Sequence, residues 1–155
     1  MKGIVIYDTS YGNTKIIAET IAETLKASGL EVDLYHVKDI KELHAKDYDF
    51  IVLGSPTRVG NMSFTLSRFI SGKIKEEEWK DKPFVSFDTE METSIEQSAP
   101  NAAEKIADKL SGKGLKQILP VLKTAVLALK GPLKEGEIEN TEKYAKELAS
   151  KLKGE

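Results

Sequence analysis

The chain has 155 residues, 40% apolar and 31% charged, with a formal net charge of −2, the profile of a globular, soluble protein with room for a buried core. That near-neutral balance, without a Lys/Arg-rich run, argues against nucleic-acid binding through bulk charge. With no cysteine in the sequence, disulfides, thiol nucleophiles and thiolate metal sites are all excluded.

Met1-Lys2-Gly3 leads straight into an apolar run, without a secretory pattern. Ile4-Val5-Ile6-Tyr7 is continuous apolar sequence, as expected of a strand covered on both faces. Ile17, Ile21 and Leu25 then repeat at helical spacing, and Gly29 ends that helix. Glu31 to Val37 alternates and predicts a strand nearer the edge. A short helix is expected over Ile40 to His44. His36 and His44 lack metal-ligand spacing and are read as a strand-end and a surface histidine.

Phe50-Ile51-Val52-Leu53-Gly54 is a second buried strand, followed by a helical stripe of Leu66, Phe69, Ile70 and Ile74. The charged stretch Lys75 to Lys82 reads as a solvated connection, with Trp79 packing back on the surface. Pro83 opens the apolar strand Phe84 to Phe87, and Ala99, Ala103, Ile106 and Leu110 give another helix face. Leu115 to Leu119 is expected as the last strand, with an extended stretch, Thr124 to Leu129, after it. Tyr144, Leu148 and Leu152 close the chain in an amphipathic helix. The longest apolar stretch, Ile118 to Leu129, is interrupted by Pro120 and Lys123 and is shorter than the roughly 20 residues of a membrane span.

Strand and helix thus alternate through one domain, residues 1–155, which predicts an α/β fold. The expected form is a three-layer sandwich, a five-stranded parallel sheet with helices on both faces. Right-handed crossovers favour the strand order 2-1-3-4-5. Ligands of such sheets bind beyond the carboxyl ends of the strands, at the switch point. The residues to inspect therefore follow Tyr7, Leu53 and Phe87.

The first of these loops, Asp8 to Thr14, runs from a buried strand into a helix N-terminus. Free N–H donors and about half a positive charge of helix dipole suit an anion there. Gly12 permits close backbone approach, Thr9, Ser10 and Thr14 add hydroxyls, and Asn13 or Thr14 is the expected cap. With no Lys or Arg before Lys15, the loop reads as a neutral cradle for one phosphomonoester. A P-loop would end in Gly-Lys-Ser/Thr, and a dinucleotide fingerprint would carry three spaced glycines; neither is present. The second loop, Ser55-Pro56-Thr57-Arg58-Val59-Gly60-Asn61, carries Gly60-Asn61, both tolerant of positive φ. The third, Asp88-Thr89-Glu90-Met91-Glu92-Thr93, is acidic and has no aromatic residue.

Val5-Ile6-Tyr7-Asp8-Thr9-Ser10-Tyr11-Gly12-Asn13-Thr14, with Ala18 and Ile21, is similar to the flavodoxin signature. Tyr7-Asp8-Thr9 and Gly131-Pro132-Leu133 resemble most the flavodoxin domain of A-type flavoproteins, here without their metallo-β-lactamase-like domain. The resemblance implies FMN as cofactor. It assigns phosphate contacts to Thr9, Ser10, Tyr11, Gly12, Asn13 and Thr14. It sets the second loop, Ser55 to Asn61, along one side of the flavin ring, with Thr57 at the ribityl chain or ring edge and Val59 as an apolar contact. Gly60 would permit a peptide flip towards flavin N5, and Arg58 would face either the N1–C2=O edge or solvent and a partner. Asp88, Thr89, Glu90 and Met91 would border the ring, with Met91 replacing the family's usual aromatic cover and the carboxylates lowering the flavin's potential.

The implied function is electron transfer through the bound flavin, with no catalytic side chain. A second reading is an FMN-dependent NAD(P)H or quinone oxidoreductase. A third, a receiver-type signalling module, lacks its phosphoacceptor Asp, because Gly54-Ser55-Pro56 stands at the end of that strand. Redox proteins are the expected partners of a cytoplasmic monomer or homodimer, without nucleic acid or membrane.

Overall fold

The computed structural model describes residues 1–155. Its elements are β1 (Lys2–Tyr7), α1 (Asn13–Ala27), β2 (Glu31–His36), β3 (Phe50–Pro56), α2 (Phe64–Lys73), α3 (Glu76–Trp79), β4 (Pro83–Met91), α4 (Glu92–Glu96), α5 (Ala102–Gly112), β5 (Lys116–Gln117), β6 (Leu122–Val126) and α6 (Glu137–Leu152). All sheet pairings are parallel, in the order β2-β1-β3-β4-β5, with β6 also on β4. This is the flavodoxin-like order 2-1-3-4-5 with helices on both faces.

The sheet divides two cores because strand side chains alternate between faces. Ile4, Ile6, Ile51 and Leu53 point to the α2 and α5 side, with Leu66 and Ile106. Val5, Val52 and Val85 point to the α1 and α6 side, with Ile17, Ile21 and Leu148. Two strand glycines set the packing between them. A Cβ on Gly54 would lie 2.0 Å from the ring of Phe87, its partner in register, and one on Gly3 would lie 2.1 Å from the ring of Phe50. Each missing side chain is the space that the neighbouring strand's phenyl ring fills.

Four local expectations change. Ile40 to His44 is not helical; 3₁₀ turns at Val37–Asp39 and Ala45–Asp47 flank it. Trp79 is fully buried in the α2/α5 core rather than lying on the surface. Apolar contact under a long connection outweighs the charges that flank it in sequence. The last strand is split: Lys116–Gln117 pairs with the start of β4 and Leu122–Val126 with its end, and the break contains Pro120, which has no ladder donor. Finally, β4 runs on to Met91, so most of the expected third loop is strand. The carboxyl ends of β1, β3, β4 and β6 meet at one edge of the sheet, and the cleft lies there.

Candidate functional site

The cleft at this edge is open, with about 390 Å³ between and above its walls when the adjoining solvent space is counted. Thr9, Ser10, Tyr11, Asn13 and Thr14 line it from the first loop, Pro56, Thr57 and Arg58 from the end of β3, and Thr89, Glu90 and Met91 from β4. Val126 and Leu129, beyond β6, complete it.

The first loop folds around its own side chains. Asp8 Oδ1 accepts the Thr9 N–H at 2.8 Å, and Thr9 Oγ1 accepts the Gly12 N–H at 2.9 Å. Gly12, at φ 91°, is the N-cap of α1, in place of the expected Asn13 or Thr14. The left-handed turn costs glycine little and would strain other residues. It leaves the N–H groups of Ser10, Tyr11, Asn13, Thr14 and Lys15 without a partner in the protein. Thr14 and Asn13 tie the loop to its neighbours. Thr14 Oγ1 meets Thr89 Oγ1 at 2.8 Å, and Asn13 Nδ2 donates to the Lys130 carbonyl at 3.2 Å.

The cradle is not neutral, contrary to the reading of the loop alone. Arg58 reaches across from the second loop and donates to the Ser10 hydroxyl. Neither of the two positions expected for Arg58 anticipated this contact.

The second loop is a tight turn. Arg58 N–H donates to the Asn61 carbonyl at 2.7 Å, and Asn61 N–H returns to Arg58 at 3.0 Å. The two residues between have positive φ, Val59 at 49° and Gly60 at 76°, whereas Asn61 does not. The unusual backbone therefore falls on Val59-Gly60, not on Gly60-Asn61. Val59 is fully exposed at the tip and makes no part of the cleft wall. Gly60 and Asn61 also lie outside the lining, and Asn61 Oδ1 accepts the Met62 N–H at 2.8 Å. Ser55 is buried and faces inward, where its hydroxyl donates to the Pro56 carbonyl and accepts the Ser63 N–H. Thr57 Oγ1 accepts the Ala102 N–H at 3.3 Å, joining the loop to the start of α5.

On β4 the acidic side chains are buried: Glu90 borders the cleft floor, and Asp88 is not part of its lining. Asp88 and Glu90 point towards α5, with side chains wholly buried. Asp88 Oδ2 accepts the Ala103 N–H at 3.0 Å, and Glu90 Oε1 accepts from Asn101 Nδ2 at 3.0 Å. Burial and the adjoining Glu90 carboxyl hold the Asp88 carboxyl well above the usual range, although the Ala103 N–H and Lys123 pull it down. Glu104 goes the other way: its partial burial pushes it up, but hydrogen bonds from Lys123 and from the Asn101 and Glu104 backbone bring it below its ordinary value. The expected acidic border is thus buried polar structure, not a charged rim. Met91 does stand at the cleft edge, 39% exposed.

Val126 and Leu129 were not foreseen. The rule that ligands gather at strand carboxyl ends would have found them, had the last strand been placed at Leu122–Val126. The apolar Leu127 and Leu129 that follow it were the available signal in the sequence.

The Flavodoxin_5 family model, described as a flavodoxin domain, matches residues 4–127. The chain belongs to the flavodoxin family. An archaeal flavodoxin structure superposes over 99% of both chains with a TM-score of 0.82, at 24% identity. A flavodoxin of Aquifex aeolicus is 42% identical over 69 residues, and an NAD(P)H dehydrogenase (quinone) of Chromohalobacter salexigens is 33% identical over 90 residues. These two matches take in 44% of this chain and only 37% and 45% of the relatives' lengths.

Members of the flavodoxin family bind FMN and pass electrons to partner proteins, and the residues of this cleft suit the cofactor. Unpartnered N–H groups at the N-terminus of a 15-residue helix, beside hydroxyls and one arginine, suit a phosphomonoester. A Cβ at Gly12 would meet nothing within 4 Å, so the backbone lies open to an approaching group. Apolar side chains, Pro56, Met91, Val126 and Leu129, line the remaining wall where a flat ring needs cover. No helix is long and apolar enough to cross a membrane.

Proposed function

We propose that this flavodoxin holds FMN with its phosphate in the Thr9–Thr14 loop and works as an electron carrier. The observation that carries this reading is the set of free N–H donors that the left-handed Gly12 exposes at the start of α1. Bound FMN supplies the one- and two-electron chemistry. The protein's part is to bind and orient. Ser10, Tyr11, Asn13 and Thr14 donate to the phosphate, and Arg58 adds one positive charge. Thr57 and Thr89 meet the ribityl chain. Pro56, Met91 and Leu129 exclude water from the ring faces. Ser55 and Asp88 act beneath the cleft, through the backbone they hold. The chain acts in the cytoplasm as a monomer or homodimer, and redox proteins are its partners.

FMN and riboflavin titrations, followed by flavin fluorescence, test the phosphate site. FMN should bind far more tightly than riboflavin. Gly12→Asp, whose side chain tolerates a left-handed backbone, places a carboxylate against the donors and should weaken FMN by about tenfold or more. Equal affinity for FMN and riboflavin, or no effect of Gly12→Asp, would overturn the assignment.

A second reading, turnover of NAD(P)H and a quinone, is favoured by the exposed apolar edge at Met91 and Leu129 and by the quinone dehydrogenase relative. Stopped-flow mixing of the FMN-loaded protein with NADPH separates the two. Rapid bleaching of the flavin supports the oxidoreductase; no bleaching supports the carrier.

A further inference from the structure

Asp88 and Glu90 stand two residues apart on one face of β4, and both side chains are 0% exposed. One oxygen of each is satisfied, by the Ala103 N–H and by the Asn101 amide. Of the others, Asp88 Oδ1 is buried without a partner, and Glu90 Oε2 has only the Lys123 ammonium. Lys123 is the cation beside them, with Nζ 3.6 Å from Asp88 Oδ2 and 3.0 Å from Glu90 Oε2. The same ammonium donates to Glu104 at 2.7 and 2.9 Å, so one cation serves all three carboxyls.

The surroundings supply no second cation. Ser55 and Pro56, paired with Asp88 and Thr89 on β3, carry no charge. Arg58 is engaged with Ser10. Beyond Lys123, on the side of α4 and α6, lie Glu92, Glu96, Lys134 and Glu137; Lys134 is paired with Glu92, and Glu137 accepts the Ala125 N–H. Were Asp88, Glu90 and Glu104 all ionised, three carboxylates, two of them wholly buried, would share one ammonium, and Asp88 Oδ1 would lack a partner. A proton held between two carboxyls relieves both the excess charge and the missing hydrogen bond.

We propose that Asp88 and Glu90 share one proton beneath the cleft, and that the pair takes up a second proton when the cleft gains negative charge. The second half rests on the electron-carrier reading. The pair is close enough to respond. Thr89, between the two acids, lines the cleft, and Asn101, bonded to Glu90, lies 3.9 Å from where a Gly60 Cβ would be. The balance is one proton from solvent for an electron delivered by a redox partner protein. Solvent reaches the pair from behind, through Glu104 at 31% and Lys123 at 18% side-chain exposure, so the cofactor need not move. Burial and the neighbouring Glu90 carboxyl raise the proton affinity of Asp88 in the same direction.

Two measurements decide it. Carbon-13 NMR of the Asp88 and Glu90 carboxyls in the flavin-free protein, titrated from pH 4 to 9, should show one proton retained by the pair at pH 7, both resonances responding to its loss. Two ionised carboxyls at pH 7 overturn the shared proton, whether or not FMN binds. In the FMN-loaded protein, the midpoint potential is followed over the same range. Glu90→Gln and Asp88→Asn keep shape and hydrogen bonding; each should flatten the pH dependence relative to the parent. Far-UV circular dichroism checks that both variants fold. Identical pH slopes in all three proteins overturn the coupling. Failure of FMN to bind would overturn the coupling together with the carrier reading, while the carboxyl titration would still decide the shared proton.

Discussion

Thr14 and Thr89 share a 2.8 Å hydrogen bond beneath the cleft, joining the first turn of α1 to the end of β4. Both residues are buried, and both line the cleft. The bond sets the distance between the first loop and the β4 wall of the cleft. Thr89→Val keeps the shape and removes the partner, leaving a buried hydroxyl unsatisfied. The expected loss is about 1–3 kcal/mol in urea unfolding, with weaker FMN binding. Unchanged values for both would show that the two elements are held by packing alone.

Val59 is a β-branched residue held at φ 49° with its side chain in solvent. Nothing packs against it to repay that conformation, which costs such residues of the order of 1 kcal/mol or more. Val59→Asn should therefore raise stability by about 1 kcal/mol. A thermal melt reads this directly, and a lowered midpoint would contradict it.

Gly131 meets Asn13 across the cleft rim. A Cβ at Gly131 would lie 2.7 Å from Asn13 Oδ1, at φ 105°. Gly131→Ala must push Asn13 off its bond to the Lys130 carbonyl and strain the backbone. We expect a loss of about 1–2 kcal/mol and weaker FMN binding, because the segment carrying Leu129 comes away from α1. Asn13→Ala loses only the 3.2 Å hydrogen bond and should cost about 0.5–1.5 kcal/mol. Chemical unfolding of both variants gives the comparison, and equal losses would mean that no clash occurs.

The proton on Asp88 has a consequence for stability. Its carboxyl is raised in the fold by burial and by Glu90, whereas in the unfolded chain it titrates near about 3.9. Above that value the unfolded state binds fewer protons than the native state, so this group's contribution falls as pH rises and levels off above the native value. Asp88→Asn removes that term. The variant should gain on the parent as pH is raised from 4 towards 8, and the difference in urea midpoint measured across that range should widen. A difference that narrows as pH rises would reverse the sign and show Asp88 ionised in the fold.

Much of this was readable in the residues. Continuous apolar runs at Ile4–Tyr7 and Phe50–Leu53 are too short for helices and read as strands covered on both faces, and Ile17, Ile21 and Leu25 fall on one face of a helix. Those periods fix the alternation, and the alternation with right-handed crossovers fixes the sheet order and the edge where the cleft lies. Gly12 and its hydroxyl neighbours mark that edge because anion binding there depends on local backbone geometry. The last strand was harder. Its pairing depends on what β4 offers, and the sequence shows the interruption at Pro120 without showing that each side of it pairs with a different end of β4.

Sequence by itself determined the fold, the family and the loop proposed to bind the phosphate, since each rests on periodicity or on residues adjacent in the chain. Only the tertiary structure decided where the charges act. Arg58 is 48 positions from Ser10 and supplies the cation that the loop lacks. Asp88 and Glu90, acidic in the sequence, fall on the buried side of β4, beside Lys123 and the start of α5. A formal charge is a property of a residue; its field and its proton affinity belong to the neighbours and the dielectric that folding gives it.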